Sequence, residues 1–491
     1  MKRKIVSVFL ALCMALMVIP LSSLSVFAST SGDFEYDIYS ESEKTCVIVD
    51  YKGSAEQIVI PSSLDGYTVI AIDSLGGYHF NTKSVFIPET VKNIYGNPFS
   101  YCTELEIIQL AENNVDFCIV NDALFSKDMK YLYAYPAQNA NRKQFVIPEN
   151  TEVIEAGAFE YSQLENIYIP NTVMSIGGSA FSDCYYLKSI KIPESITNLN
   201  SYMFYNCENL TEIILPNTLE NIGRAVLYGT PYYNNAENWD NGLLYYGDYL
   251  LDADENLQGD VILKSGTKVV AEAAFLQSTE ITSIEIPNGV KYLQDDTFGN
   301  CCNLERIIIP ESITYIAYSA FWSCDKVTVY GYRDSEAELY TGYKNIPFIA
   351  LPKLNLDESN KKILNVKNAT VENTIISLRQ SFPEAEKITV LKENGIQVTD
   401  LSTPCENGMN FVIQLADSST LVYSIQKYIS GDINGDGKVS AIDARIALQY
   451  NAGNKSLTAE QLAAADVNGD GKVSAIDARW ILQAVAGNRT L

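Results

Sequence analysis

An Ile-Pro or Leu-Pro pair returns through the middle of the chain at Ile60-Pro61, Ile87-Pro88, Ile147-Pro148, Ile169-Pro170, Ile192-Pro193, Leu215-Pro216, Ile286-Pro287 and Ile309-Pro310. Pro148 to Pro170 is 22 residues; Pro170 to Pro193, Pro193 to Pro216 and Pro287 to Pro310 are 23 each. An Ala-Phe-like pair keeps phase with it at Ala158-Phe159, Ala180-Phe181, Met203-Phe204, Ala274-Phe275, Thr297-Phe298 and Ala320-Phe321. A fixed period of this length predicts a stack of short coils, in which no unit buries its apolar face alone. Each unit reads as a short strand, a Pro-led turn, a second apolar pair and a buried aromatic. The proline ends the strand because it has no N–H for the next coil. The Phe fills the space between coils.

The consensus, I-P-x-x-V-x-x-I-x-x-x-A-F-x-x-C-x-x-L-x-x-I, resembles the BspA-type leucine-rich repeat over roughly residues 45–350, and 29–350 is taken as the solenoid. The resemblance implies a mainly β and irregular leucine-rich-repeat solenoid. Residues 118–135 and 241–251 break the period and read as two inserted hairpins. Two units are degenerate, with Ala225-Val226 for Ala-Phe and Leu263-Lys264 for Ile-Pro. Alternation in the strands points Tyr168, Lys191, Glu285 and Ile308 outward.

Residues 431–453 and 465–487 match at 17 of 23 positions. Each copy spaces oxygen donors as a calcium loop does. The first offers Asp432, Asn434, Asp436, the Lys438 carbonyl, Ser440 and Asp443 around the turn glycine Gly437. The second offers Asp466, Asn468, Asp470, Lys472, Ser474 and Asp477 around Gly471. Two copies imply two Ca²⁺ ions. Position 12 is Asp rather than the usual Glu, and each loop leads into a helix, Ile442 to Tyr450 and Ile476 to Val485.

The duplicated loop-helix unit resembles a type I dockerin, a small all-α module, over 430–491. That resemblance implies a cohesin domain on a scaffolding protein as partner, in a cellulosome-type assembly. It assigns recognition to Ala441, Ile442, Arg445 and Gln449, and to Ala475, Ile476, Arg479 and Gln483. Ala-Ile stands where many members carry a Ser-Thr-type pair, which implies a more hydrophobic contact. The near identity of the copies implies binding in two orientations related by 180°. Between solenoid and tail, 351–429 reads as a small β-rich spacer module, with turns at Gly395 and Gly408.

Lys2, Arg3 and Lys4 precede an apolar run from Ile5 to Ile19 and a small-residue site ending at Ala28, so 1–28 reads as a cleaved signal peptide. The run is shorter than the roughly 20 residues a membrane span needs. The expectation is a secreted protein with no membrane span, held at a cell-surface complex by a scaffold. A net charge of −25, from 35 Lys+Arg against 60 Asp+Glu, argues against nucleic acid as a partner. The one histidine, His79, excludes a multi-histidine metal site and leaves any Ser-His-Asp set a single candidate.

The expected function is therefore non-catalytic, with the repeats holding a protein or polysaccharide ligand. The alternative is a glycoside hydrolase using repeat carboxylates; 60 acids make chance pairs certain, so the count does not discriminate. Cys102, Cys184, Cys207, Cys301 and Cys324 fall three residues after the repeat Phe or its equivalent. They read as small buried fillers, or as thiols stacked closely enough to bridge. The tyrosine clusters at Tyr131, Tyr133 and Tyr135, at Tyr185-Tyr186, at Tyr232-Tyr233 and at Tyr245-Tyr246 suit sugar stacking, a protein anchor or plain half-buried strand surface.

Overall fold

The computed structural model describes residues 29–77, 81–139, 142–364, 369–426, 429–435 and 438–491. The expected signal peptide, His79 and the ligand candidate Asp436 lie outside the described residues. The chain divides into two compact units, one running to Ser195 together with Asn206–Leu215, the other comprising Ile196–Tyr205 and Pro216–Leu491.

The first unit begins with three antiparallel strands, Ser29–Ser31, Phe34–Ser40 and Thr45–Tyr51; the last also pairs in parallel with Tyr67–Ile72. Its repeat sheet holds β1 (Gln144–Val146), β2 (Asn166–Tyr168), β3 (Ser189–Lys191) and β4 (Glu212–Ile214), all parallel and in register. The middle residues of β1 to β3, Phe145, Ile167 and Ile190, are buried. The Ile that follows each strand is still in the ladder: Ile147 donates its N–H to the Tyr168 carbonyl (3.1 Å) and Ile192 to that of Ile214 (2.9 Å). The next residue is proline, and the ladder stops there. On another side of each coil Val153–Ile154 pairs with Ser175–Ile176, and an antiparallel meander of Phe117–Val120, Ala123–Ser126 and Tyr131–Ala134 joins that sheet. The buried Phe159 and Phe181 rings stack at 5.5 Å.

The second unit repeats the plan with β5 (Gly259–Ile262), β6 (Ile281–Glu285), β7 (Arg306–Ile308), β8 (Thr328–Gly331) and β9 (Phe348–Ala350), again all parallel. Phe275, Phe298 and Phe321 stack at 5.4 and 5.1 Å. Helix α1 (Glu336–Lys344), capped by the Ser335 hydroxyl and closed by Asn345 in the left-handed region, makes the last crossover.

Next comes a five-stranded mixed sheet of β10 (Asn355–Asp357), β11 (Lys362–Leu364), β12 (Ala385–Leu391), β13 (Asn410–Leu415) and β14 (Thr420–Ile425), in the order β10-β11-β14-β13-β12. Its core includes Ile363, Phe411, Ile413 and Tyr423. The strands match a β-rich reading, but the sequence reading passed over helix α2 (Val371–Ser381). Val371, Ile375 and Leu378 turn one face of α2 into this core, while Ile376 on its other side packs with Ile308 of β7.

Helix α2 also corrects the expectation for the outward strand positions. Tyr168 is 52% exposed and Lys191 is exposed, as alternation requires. Glu285 is only 8% exposed and Ile308 only 3%. Both still point away from the coil interior, and the chain's own helix covers them. The tail supplies α3 (Ala441–Asn451), α4 (Ala459–Ala465) and α5 (Ala475–Val485), with α3 and α5 packed through Ala444, Ala447, Ala478 and Ile481. No described helix is long and apolar enough to cross a membrane.

Candidate functional site

The two tail loops are tied by the same device. The Asp443 side chain is fully buried, and its Oδ1 accepts the N–H of Ile433 (2.9 Å) and of Asn434 (3.1 Å). Its Oδ2 accepts the Ser440 N–H (2.9 Å) and hydroxyl (2.8 Å). Asp477 does the same for Val467 and Asn468 (3.1 and 3.3 Å) and for Ser474 (2.9 Å twice). Ser440 and Ser474 are in turn the N-caps of α3 and α5, each in a reciprocal capping box. The shorter Asp at position 12 thus fastens the loop to the first turn of its helix.

In the second loop Asp466 Oδ1 accepts from Gly469 (2.8 Å) and Asp470 (3.1 Å), and Oδ2 from Gly471 (2.9 Å). Asn468 Nδ2 donates to Asp470 Oδ2 at 2.8 Å, and the Lys472 N–H to Asp470 Oδ1 at 2.9 Å. In the first loop Asp432 Oδ1 accepts from Gly435 at 2.8 Å. Burial first, then the charges of Asp477 and Asp470, push the Asp466 carboxyl up to about 6. Among the described residues no group of three or more acidic, His or Cys side chains stands ready around a metal position. Asp443 Oδ1, Asp477 Oδ1, Asp432 Oδ1 and both oxygens of Asp466 are turned onto loop N–H groups. The donor set is all oxygen and rich in negative charge, which fits a hard divalent cation.

The recognition candidates lie elsewhere, on the outer face of α3 and α5. Ile442 is 49% exposed and Ile476 54%. Ala441, Arg445, Gln449, Ala475 and Arg479 are exposed, and Gln483 is half-buried. Leu448 and Leu482 are exposed on the same faces and were missed by sequence reasoning. Their three-residue step from Arg445 and Arg479, and seven-residue step from Ala441 and Ala475, was the available signal. All five face positions are identical between the copies, as are the buried Asp443/Asp477 and Ala444/Ala478, whereas Ile446 stands against Trp480 and Ala447 against Ile481.

The repeat thiols are donors between coils. Cys184 Sγ donates to the Phe159 carbonyl (3.0 Å), Cys207 to Phe181 (3.0 Å), Cys301 to Phe275 (3.1 Å) and Cys324 to Phe298 (2.9 Å). All nine described cysteines are free thiols. The tyrosine clusters divide: Tyr131, Tyr185 and Tyr186 are exposed, whereas Tyr135 and Tyr245 are buried.

Two acidic clusters bear on the hydrolase alternative. Asp183 accepts from Ser182 (2.8 Å), Tyr185 (2.9 Å) and Asn206 (3.0 Å). Burial, with the Asp183 charge second, pushes the neighbouring Glu160 up to about 7. Glu272 and Asp296 are both held by Arg224, at 2.6 and 3.1 Å. These carboxylates are engaged as turn and ion-pair groups.

Comparison with known families gives two matches. The BspA type leucine rich repeat region matches residues 51–131, 130–241 and 247–363, and the dockerin type I domain matches 430–486. Both are non-catalytic modules. Among solved structures, a leucine rich cell surface protein from Faecalibacterium prausnitzii is 20% identical, covering 64% of this chain and 97% of its own, with a TM-score of 0.27. A leucine-rich repeat protein from Eubacterium ventriosum is 19% identical, covering 60% and 94%, with a TM-score of 0.31. A leucine rich repeat protein from T. pallidum is 24% identical, covering 43% and 92%, with a TM-score of 0.28. No curated protein matches the chain. The repeat family spans more than half of the sequence: the chain belongs to the BspA type leucine rich repeat family and carries a dockerin type I domain near its C-terminus.

Proposed function

We propose that this chain is a secreted, non-catalytic component of a cellulosome-type assembly. The tail anchors it to a cohesin on a scaffolding protein, and the repeats hold a protein or polysaccharide ligand. The observation that carries this reading is the duplicated face. Ala441, Ile442, Arg445, Leu448 and Gln449 recur unchanged as Ala475, Ile476, Arg479, Leu482 and Gln483, although packing within the tail leaves most of these side chains exposed. An exposed face identical in both copies fits a surface read by one partner in two orientations, centred on an exposed isoleucine with arginine and glutamine around it.

Calcium, when bound, would neutralise the carboxylates that crowd each loop. Asp432, Asn434, Asp436, the Lys438 carbonyl, Ser440 and Asp443 would hold it in the first loop. Asp466, Asn468, Asp470, the Lys472 carbonyl, Ser474 and Asp477 would do so in the second. Each loop sets the first turn of its recognition helix through Ser440 and Asp443, or Ser474 and Asp477. Loop order and face geometry are therefore linked.

The test is binding of the full chain to a panel of immobilised cohesins, in calcium and in chelator. Ile442→Asp alone should weaken binding by about twofold, the statistical factor for one of two equivalent sites. Ile442→Asp with Ile476→Asp should abolish it. Full loss from the single change would refute the two-orientation reading, and no binding to any cohesin would refute the anchoring role.

A further inference from the structure

Strand β12 closes one side of its five-stranded sheet, and among the described residues β13 is its only neighbour there. Its outer edge is only partly used. The Lys392 N–H donates to the Ile396 carbonyl and the Val398 N–H to the Val390 carbonyl, both at 2.8 Å, so the chain turns back after β12 and covers the end of that edge. Val390 therefore directs its backbone groups outward, and by alternation Ile388 does the same. Among the described residues the bonds to this edge stop at Val390. At the other end the pairing of β12 with β13 slips between Ala385 and Lys387, and this bulge ends the regular strand. The open stretch is centred on Ile388.

A cavity of about 430 Å³ borders this stretch. Ile388, Thr389 and Val390 all line it. Side chains of a strand alternate between faces, so a cavity that meets three consecutive residues meets the edge. Ile308 of β7 and Ile375 and Ile376 of α2 supply aliphatic walls. The charges around it are already matched, Arg306 with Glu372 at 2.6 Å and Arg379 with Glu285 at 3.5 Å. We infer that this groove takes an extended peptide segment of a partner protein, which adds a strand beside β12. A row of outward N–H and C=O groups is complemented by another main chain. A peptide also brings no net charge between the two ion pairs, where a lone carboxylate or amine would stand unmatched. The returning segment Ile396-Gln397-Val398, apolar at alternate positions, already occupies the adjoining part of the edge and is the pattern the partner continues. A groove of this size admits one strand and not the walled edge of a second copy. The site lies apart from the tail and goes beyond the anchoring role.

The probe is the blocked, labelled peptide Thr-Ile-Gln-Val-Thr, titrated onto the full chain by fluorescence anisotropy. Two N-methylated forms run beside it, one methylated at Ile and Val, the other at Gln. An added strand uses only alternate N–H groups, so one form should bind at least about tenfold more weakly than the parent and the other should match it. Bound peptide should also slow amide hydrogen exchange in residues 385–391. Ile388→Pro removes the outward N–H and leaves the bonds to β13, and an edge strand tolerates proline, so this variant should lose the peptide with its circular dichroism unchanged. If Ile388→Pro fails to fold, the methylated peptides and the exchange still decide. No binding, equal loss from both methylated forms or loss from neither overturns the inference. A dimer of the chain that Ile388→Pro dissolves, without peptide binding, overturns it in favour of a second copy. Cohesin binding, read in parallel, should not move with the peptide or the variant, so failure here leaves the anchoring role standing.

Discussion

One substitution at one repeat position should carry opposite signs in the two units. Three residues after the repeat proline, or after Lys264 in the degenerate coil, the chain places Val91, Thr151, Val173, Ile196, Leu219, Thr267, Val290 and Ile313, all buried. The two threonines differ in what their hydroxyls meet. Thr267 Oγ1 donates to the Lys264 carbonyl at 2.7 Å and lies 3.4 Å from the Tyr245 hydroxyl. Thr151 Oγ1 is fully buried and has no hydrogen-bond partner among the described residues. A buried hydroxyl left unpaired costs about 1–3 kcal/mol, and a buried methyl contributes about 0.8 kcal/mol. Thr151→Val exchanges one for the other at nearly constant shape and should stabilise its coil by about 2 kcal/mol. Thr267→Val breaks a made bond and should cost about 1 kcal/mol, partly offset by its own methyl. A two-unit chain need not unfold in one step, so the readout is amide hydrogen exchange of the mutated coil and its neighbours, with a urea melt beside it. Slower exchange around residue 151 and faster exchange around residue 267 is the expected pair. Destabilisation by Thr151→Val would refute the reasoning, because it would mean the hydroxyl is satisfied.

Three further outcomes follow from the geometry. Glu160 is pushed up to about 7 from the 4.5 of a free glutamate, so its contribution is full below pH 4.5 and fades as pH rises through 7. Glu160→Gln should then stabilise the first unit at pH 8 by on the order of 2 kcal/mol and flatten the melting temperature between pH 5 and 8; an unchanged slope would refute this. A Cβ on Gly177 would stand 2.2 Å from the Ala156 backbone nitrogen, so Gly177→Ala should cost upward of about 2 kcal/mol in a urea melt, and a neutral result would mean the coils can separate. Cys324→Ala deletes the thiol that serves the Phe298 carbonyl, while Cys324→Ser keeps a donor on a shorter arm; both should destabilise by about 1 kcal/mol in a urea melt, and a neutral Ala variant would mean the thiol contributes neither a bond nor packing.

What was legible in the sequence was what the repeat imposes on every coil. The Ile-Pro strand ends, the stacked Phe rings and the Cys position recur because each coil solves the same packing problem against a copy of itself, so one period announces the fold. The duplicated loop-helix unit of the tail was legible for the same reason, since its two copies align in register. What stayed hidden depends on contacts between unlike segments. Glu285 and Lys191 occupy equivalent strand positions, and no local pattern says that one is covered and the other open. That difference is made by α2, whose sequence VENTIISLRQS carries apolar residues on two faces, one for its own sheet and one for a foreign ladder. A single-face periodicity search passes over such a helix. Leu448 and Leu482 escaped for a related reason: a leucine in a short helix reads as core until the packing of α3 against α5 leaves it outside. Internal repetition also separates the two roles. Where Ile446 became Trp480 and Ala447 became Ile481, the two copies repacked a shared core. Ile442, Arg445 and Leu448 recur unchanged on the exposed face, where packing within the tail imposes no such constancy.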